Sequence, residues 1–463
     1  MEPNIISAST SQANSQDTTI DTSNLAMKNH DLTTLHHADG TSKRNIYNEV
    51  EFSASPKGDP LVSSWLPTLH SSISALLRWT GAYPAYIQNA HLAFVREAVV
   101  PRLKQPPATA DRLHYILTHN HSPYEASLAF ASHQPPKVRF TVQPLVDPSI
   151  AGGDPLGQKG LRQKLENLAA SCGADRTWLD AFVDSVFLTD AEESGLVDKA
   201  ANGSAEGALP RQICYAGFDF ESGGKDGKAA IGMKAYLFPQ LKALATSQNL
   251  VSITESIVTR LAEGNEGMMA AWQLLRTFLI SYGEGNINIY FLAIDCLAHE
   301  MKPRFKIYAH THANSLASAR HIFTLGGRLA HSADFLPQVW PLLMDMEDVP
   351  QADMDDLEKP LNDPDSKYCG LCFAFEMMPG KNVPQVKMYI PMWQYARDKA
   401  GVVERYDRIL KTQGMMMGDY DLKAAVKDAF KSETDSGLHT MASVSSSQKG
   451  VGLSTYFGPR LWL

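Results

Sequence analysis

The chain contains few cysteines and no long apolar run, and both absences limit the classes of protein to which it can belong. Only five of its 463 residues are cysteines, too few and too scattered for a disulfide framework. No segment reaches the roughly 18 apolar residues that a membrane-spanning helix needs. The polar N-terminus also lacks the apolar core of a secretory signal. We therefore expect a cytoplasmic protein with reduced thiols and no membrane partner.

The chain also has no excess of positive charge. The formal net charge is -8 at pH 7, with 42 Lys and Arg against 50 Asp and Glu. A protein that binds nucleic acid through bulk electrostatics is normally basic, so we expect no nucleic-acid partner. The sequence has no GxxxxGK[ST] phosphate loop either, and the glycines at 223 and 224 fit a hairpin turn.

The first 57 residues differ in composition from the rest of the chain. They are rich in Ser, Thr, Asn, Asp and His and poor in large apolar residues. Such a segment cannot bury enough surface to offset the entropy lost on ordering. We predict a mostly disordered leader over residues 1–57 and a single domain over residues 58–463.

Within this domain, pairs of strand-like segments alternate with segments of helical spacing. Short turns between paired strands are typical of antiparallel hairpins. Residues 194–211, rich in Gly, Ala and Ser, predict a loop. The predicted strands cover residues 126–130, 137–144, 212–220, 229–238, 286–296, 304–310, 371–378, 385–390, 437–445 and 451–458. Predicted helices cover residues 65–103, 159–170, 176–187, 239–262, 268–281, 315–327, 333–345, 395–412 and 420–431.

Three of the predicted strands repeat one pattern, a basic residue two positions before a tyrosine. Residues i and i+2 of a strand point to the same face, so each cation lies beside a phenol. A sheet face lined this way suits a small polyanion with a cationic or aromatic group next to it. Near the C-terminus, Tyr456 keeps the tyrosine without the cation. The three stretches are Lys234-Ala-Tyr236, Arg304-Phe-Lys306-Ile-Tyr308 and Lys387-Met-Tyr389.

Five hairpins supply ten strands, whose apolar face must be covered by the helices. A closed barrel leaves no strand edge exposed. The predicted fold is therefore α+β, with ten antiparallel strands around a polar lumen and an outer ring of helices.

These motifs resemble those of fungal aromatic (indole) prenyltransferases of the dimethylallyltryptophan synthase family. The resemblance starts at His121-Ser-Pro-Tyr-Glu125 and continues through Lys137-Val-Arg139-Phe, the three repeated stretches and Thr455-Tyr456. It covers about residues 65–463, with six motifs in the family's order. The family fold is the ABBA-type prenyltransferase barrel. The implied reaction moves a dimethylallyl group from dimethylallyl diphosphate to an aromatic acceptor, commonly an indole, in indole-alkaloid secondary metabolism.

The resemblance also implies roles for the repeated residues. Cations would bind the diphosphate and meet its charge as the C–O bond breaks, with no metal or other cofactor required. Tyrosines would stabilise the allyl cation, by about 0.5–2 kcal/mol per ring face, and exclude water. Glu125 would hold the indole N–H and offset the charge of the attacked ring. The implied diphosphate residues are Arg139, Lys234, Arg304, Lys306 and Lys387, with Lys449 as a further candidate, and the implied shield is Tyr236, Tyr308, Tyr389 and Tyr456.

One position departs from the family pattern. Family enzymes acting on tryptophan often place a lysine as proton acceptor on the first strand of the second hairpin, and this chain has Tyr215 there. The departure favours a tryptophan-containing cyclic dipeptide or a related indole over free tryptophan. The acceptor, the position prenylated, regular or reverse attachment and the pathway stay open. Oligomeric state is open too, with a homodimer among the alternatives.

Three other features have simpler explanations than a metal site. The Cys369–Cys372 pair lacks a second CxxC, and the His310–His312 pair lacks a third ligand. The acidic run over residues 345–356 is similar to the aspartate clusters of isoprenoid synthases, but it contains Pro350 and is typical of a solvated loop. Open alternatives are a non-catalytic barrel that binds a phosphorylated or aromatic small molecule, a metal-dependent isoprenoid synthase, and a prenyltransferase of tryptophan or a phenolic.

Overall fold

The computed structural model describes most of the chain from residue 60 onward. The described residues all belong to one compact unit, Ser55–Leu463. The predicted leader, Cys369 and Lys449 lie outside them. The described ranges are 60–103, 115–147, 152–201, 211–223, 229–283, 285–366, 370–397, 401–415, 421–431, 437–447 and 450–460.

Ten antiparallel strands close into one barrel, which confirms the predicted fold class. Each strand pairs with its neighbours in the chain, and β1 pairs with β10 to close the ring. The prolines at 135 and 136 lie at the start of β2 beside a bulge, where a missing N–H costs no ladder bond. The strands are β1 (Tyr124–Ala131), β2 (Gln134–Val142), β3 (Cys214–Phe220), β4 (Ile231–Leu237), β5 (Asn288–Asp295), β6 (Phe305–Thr311), β7 (Leu371–Met377), β8 (Gln385–Pro391), β9 (His439–Ser447) and β10 (Gly450–Phe457).

The helices surround this barrel in the predicted order, with some boundaries changed. The α-helices of the described residues are α1 (Pro60–Thr80), α2 (Ala85–Phe94), α3 (Gln158–Cys172), α4 (Thr177–Val186), α5 (Asp190–Ala201), α6 (Gln240–Thr246), α7 (Leu250–Ala262), α8 (Glu266–Tyr282), α9 (Leu316–Phe323), α10 (Leu336–Leu343), α11 (Met392–Tyr395), α12 (Val402–Thr412) and α13 (Leu422–Phe430).

The predicted helices over 65–103 and 395–412 are interrupted in the structure, and two further helical predictions were wrong for identifiable reasons. Residues 194–201, predicted as a loop, belong to α5, because acidic residues in its first turn favour a helix N-terminus and Leu196 packs into the core. The predicted helix over 239–262 divides into α6 and α7. Ser247 adopts a left-handed conformation with a φ of 58°, and the Asn249 side chain caps the start of α7.

Strand alternation separates a dry outer face from a functional inner face. On β4, Met233, Ala235 and Leu237 are buried in the core that the barrel shares with its helices. Lys234 and Tyr236, the intervening residues, line the lumen. The period of two therefore assigns core residues and site residues to opposite faces of the same strand.

The outer face of the barrel supplies a stability prediction. Phe140 on β2 is buried, with ring centroids 5.0 Å from Phe218 and 5.4 Å from Phe220. We expect Phe140→Ala to lower the free energy of unfolding by about 3–5 kcal/mol, because it leaves a cavity in a packed layer. Tyr86→Ala, at a side chain that is 61% exposed, is the control and should change it by less than about 0.5 kcal/mol. Urea unfolding measures both, and equal effects would contradict this packing.

Candidate active site

The barrel brings the predicted cations and tyrosines into a single cavity inside the lumen. They come from β2, β4, β6, β8 and β10, and the loop before β6 supplies one cation. The residues were far apart in sequence, so closure of the barrel is what collects them. The predicted residues that line this cavity are Arg139, Lys234, Arg304, Lys306, Lys387, Tyr236, Tyr308, Tyr389 and Tyr456.

Small residues opposite the large side chains make room for them. Gly217 on β3 faces Lys234 across the β3–β4 ladder. A Cβ at Gly217 would lie 3.0 Å from the Tyr236 ring and 3.4 Å from the Thr141 hydroxyl. Glycine at this position therefore lets the tyrosine ring lie against the wall of the barrel.

Carboxylates accompany the cations, a feature that the sequence analysis missed. Asp295 accepts from Arg304 Nε at 2.6 Å and from Lys306 Nζ at 2.5 Å. Glu376 accepts from Arg304 Nη1 at 2.8 Å, and its other oxygen lies 3.6 Å from Lys387 Nζ. Both carboxylates are buried. Two acids thus hold three of the cations in one network.

A third carboxylate organises the remaining two cations. Asp219 on β3 forms an ion pair with Lys234 and lies 3.5 Å from Arg139 Nε. Its position on the lumen face follows from strand alternation, because Asp219 comes two residues after Gly217 on β3. A strand aspartate is an uncommon residue, and that was the available sequence signal for this group.

The shared burial of these charges changes their pKa values. Burial favours the neutral acid at Asp219, but Arg139 and Lys234 outweigh it and hold its pKa well below the usual range. Glu376 behaves the same way, and Arg304 and Lys387 lower its pKa to about 2. For Lys234, burial is the stronger influence and lowers the ammonium pKa to about 7. The carboxylates are therefore ionised at neutral pH, and Lys234 is near its titration midpoint.

Next to the charged cluster, the tyrosines form a continuous aromatic wall. Ring centroids are 6.0 Å apart between Tyr236 and Tyr308, 5.7 Å between Tyr308 and Tyr389, and 5.8 Å between Tyr389 and Tyr456. Phe291, which the sequence analysis did not select, stacks on Tyr308 at 4.2 Å. Burial raises the pKa of all four phenols, so they stay protonated and can donate.

Glu125 lies on β1, on the same strand face as Ser127, which lines the cavity. Ser127 is paired with Arg139 and Tyr456 on the neighbouring strands, which places Glu125 one step further along the lumen. Its carboxylate accepts a hydrogen bond from Thr440 at 2.5 Å. Burial raises the Glu125 pKa to about 7. This is the pKa expected of a carboxyl that exchanges protons near neutral pH.

Beyond the tyrosines, Glu125 is accompanied by aromatic side chains. Tyr215, the predicted proton-acceptor position, donates its hydroxyl to the Ile116 carbonyl at 3.0 Å, and its ring centroid lies 5.1 Å from that of Phe238. His310 follows Lys306 and Tyr308 at alternate positions of β6 and packs edge-on against Tyr290. Burial lowers the His310 pKa to about 4, so its imidazole is neutral.

The motifs considered for metal binding have other surroundings. Within the described ranges, no group of three or more His, Cys, Asp or Glu is arranged to hold a metal ion. The acidic run adopts turns, as predicted, and its carboxylates pair with arginines of the helical layer and its loops. Asp355 lies 3.2 Å from Arg320 and Asp348 lies 3.0 Å from Arg397. Cys372 is a buried free thiol on β7.

Comparisons with known proteins agree with this geometry. A family model described as tryptophan dimethylallyltransferase matches residues 62–423. The indole prenyltransferase tdiB of Emericella nidulans is 30% identical over 416 residues, 85% of this chain and 94% of the relative. The indole diterpene prenyltransferase terF of Tolypocladium album is 27% identical, covering 86% and 93%. The O-glucose prenyltransferase PaPT of Phomopsis amygdali is 26% identical, covering 85% and 88%.

Solved structures share the fold. AnaPT from Neosartorya fischeri matches with a TM-score of 0.66 and 21% identity over 88% of this chain and 96% of its own. NotF in complex with brevianamide F and DMSPP matches with a TM-score of 0.67 and 20% identity, covering 89% and 98%. Since the family match spans most of the chain and the barrel carries the charged and aromatic lumen just described, the protein belongs to the tryptophan dimethylallyltransferase family and is a prenyltransferase.

Proposed function

We propose that this enzyme transfers a dimethylallyl group from dimethylallyl diphosphate to an indole-containing acceptor by electrophilic aromatic substitution that needs no metal ion. The observation that carries the proposal is the layering of the lumen. Cations lie at one level, a tyrosine wall lies next to them, and a carboxyl with a pKa of about 7 lies beyond. The indole prenyltransferase named among the relatives supports the choice of acceptor.

In the first step, the C–O bond of the donor breaks and its electron pair stays on the diphosphate. The five lumen cations, Arg139, Lys234, Arg304, Lys306 and Lys387, bind this leaving group. Arginine grips phosphate oxygens with two donors and lysine acts as a point charge. Because the carboxylates already hold the cations in place, little reorganisation is needed as negative charge develops.

The tyrosine wall protects the allyl cation formed in that step. The faces of Tyr236, Tyr308, Tyr389 and Tyr456 attract a cation, and their rings exclude the water that would quench it to an alcohol. Their phenols stay protonated and can donate to phosphate oxygens. One surface thus serves both the leaving group and the carbocation.

In the second step, a ring carbon of the acceptor attacks the allyl cation and forms the new C–C bond. Glu125 accepts a hydrogen bond from the indole N–H and offsets the positive charge on the ring. A proton then leaves the acceptor and aromaticity returns. Tyr215 stays the predicted proton-acceptor position, but its hydroxyl keeps its own proton and donates it to a backbone carbonyl, so the proton from the ring must pass to another base. The neutral imidazole of His310, on β6 and three strands away from β3 around the barrel, is a second candidate.

The aromatic end of the lumen indicates which indoles fit. A free amino acid brings a carboxylate, which would need a cation close by. The cations of the described site pair with carboxylates at the other level of the lumen, while Tyr215, Phe238 and His310 surround the acceptor end. These surroundings favour a tryptophan-containing cyclic dipeptide or a related indole without a free carboxylate.

We also propose that the enzyme works in the cytosol. The cysteines of the described part of the chain are free thiols, as expected in a reducing compartment. None of the described helices is both long enough and apolar enough to cross a bilayer.

The reaction itself can be tested with the purified protein, dimethylallyl diphosphate, EDTA and a panel of acceptors. The panel contains tryptophan, tryptophan-containing cyclic dipeptides, other indoles and phenols, with products followed by mass spectrometry. We expect one added dimethylallyl unit on an indole without a free carboxylate, and equal rates with and without EDTA. Loss of activity in EDTA that Mg²⁺ restores would contradict the metal-independent route, and a product only on phenols would move the proposal to that acceptor class.

The elevated pKa of Glu125 gives a pH prediction. The active form is the carboxylate, so turnover should rise with pH to a plateau above about pH 7. Glu125→Gln should lower turnover by about 10²–10⁴-fold and remove this rise. Thr440→Val is the matched control. It removes the hydrogen bond that stabilises the carboxylate, so the midpoint should move to higher pH while high-pH turnover is retained. A fully active Glu125→Gln enzyme would show that this carboxylate has no such role.

The lowered pKa of Lys234 gives a prediction about proton uptake on ligand binding. At pH 8 the empty enzyme has mostly neutral Lys234, and a bound diphosphate raises its pKa again, so binding should take up close to one proton. Calorimetry of inorganic diphosphate in buffers of different ionisation enthalpy measures this uptake. Lys234→Met should abolish it, whereas Lys242→Met, at a lysine paired with Glu192, should not. Binding by the unaltered enzyme without proton uptake would contradict the assignment.

A further inference from the structure

We propose that Asp219, Asp295 and Glu376 limit the affinity of the lumen for diphosphate and thereby allow the product to leave. This inference rests on the proposed function, since it takes the charged cluster as the diphosphate site. The sequence motifs point to the cations and assign no role to these acids.

The geometry places each carboxylate where a phosphate oxygen would compete with it. Asp295 contacts the nitrogens of both Arg304 and Lys306, at 2.6 and 2.5 Å. Glu376 contacts Arg304 at 2.8 Å. A guanidinium or ammonium has a fixed number of N–H donors. Donors engaged by a carboxylate are shared with the ligand or withdrawn from it.

The charge balance points the same way. Five cations face three carboxylates, so the cluster carries two more positive charges than negative ones when all are ionised. Each carboxylate is ionised at neutral pH, because the adjacent cations hold its pKa low. A buried diphosphate is attracted by the cations and repelled by these acids across a medium that screens weakly.

This repulsion matters most after the chemical step. Breaking the C–O bond leaves one more unit of negative charge on the diphosphate than the ester carried. A wholly cationic pocket would bind that product more tightly than the substrate, and release would become slow. With three carboxylates present, the cations have alternative partners when the product departs.

A purely structural role predicts the opposite sign. If the acids only hold the cations in position, removing one should weaken diphosphate binding. If they compete with the ligand, removing one should strengthen it. The direction of the change in affinity therefore distinguishes the two roles.

Glu376→Gln is the variant best suited to this test. Glutamine keeps the shape of the side chain and an oxygen that can accept from Arg304. The contact that it loses is the loose 3.6 Å approach of the second carboxylate oxygen to Lys387. We expect the dissociation constant of inorganic diphosphate, measured by calorimetry at fixed ionic strength, to fall about tenfold. Product inhibition in the steady-state assay should strengthen in parallel. Asp295→Asn should act in the same direction and covers the case in which Glu376→Gln does not fold.

The matched control is Asp184→Asn, which changes the net charge by the same amount. Asp184 is part of α4 and pairs with Arg162 and Arg260 at exposed positions. Its neutralisation should leave diphosphate affinity unchanged. Thermal unfolding of each variant confirms that the barrel is intact.

The outcomes separate this inference from the proposed function. If the unaltered enzyme does not bind inorganic diphosphate, both are overturned. If it binds, and folded Glu376→Gln and Asp295→Asn bind diphosphate equally or more weakly, the carboxylates are only structural and this inference alone is overturned. Tighter binding in both variants, with Asp184→Asn unchanged, supports it.

Discussion

The structure depends on a buried cluster of opposite charges inside a closed barrel. Taking a cation out of water costs several kcal/mol unless partners surround it. Here Arg304 lies between Asp295 and Glu376, and Glu376 beside it raises its pKa well above the usual range. The acids satisfy the cations and so stabilise the cluster, and its excess of positive charge attracts an anion.

The barrel can hold this charged cluster because each strand has one face in the hydrophobic core and one face in the lumen. Outward residues such as Phe140 and Phe218 pack against the helical layer and supply hydrophobic stabilisation. Inward residues are then free to be polar. Closure through the β1–β10 pair leaves no strand edge exposed, and it brings Glu125 and Tyr456, from opposite ends of the chain, to one lumen.

The proposed chemistry depends on the order of the cations, the tyrosines and Glu125 along the lumen. In the proposed reaction, the leaving group lies among the cations, the carbocation lies against the phenol rings, and the acceptor meets Glu125 further along. Strand register produces this order, because steps of two residues on β6 lead from Lys306 to Tyr308 to His310. Each of these side chains therefore lies about two residue rises further from the lumen cations than the one before it.

The sequence by itself determined the strands, their hairpin pairing and the lumen face of Lys234, Lys306 and Lys387, because alternation and turn chemistry are local. Tertiary structure decided what those cations contact. Asp219, Asp295 and Glu376 come from different strands, and Phe291 reaches Tyr308 only through the β5–β6 register, so no local pattern shows which side chains they contact. The pKa values of Glu125 and Lys234 were also decided there, since burial depends on residues distant in the chain.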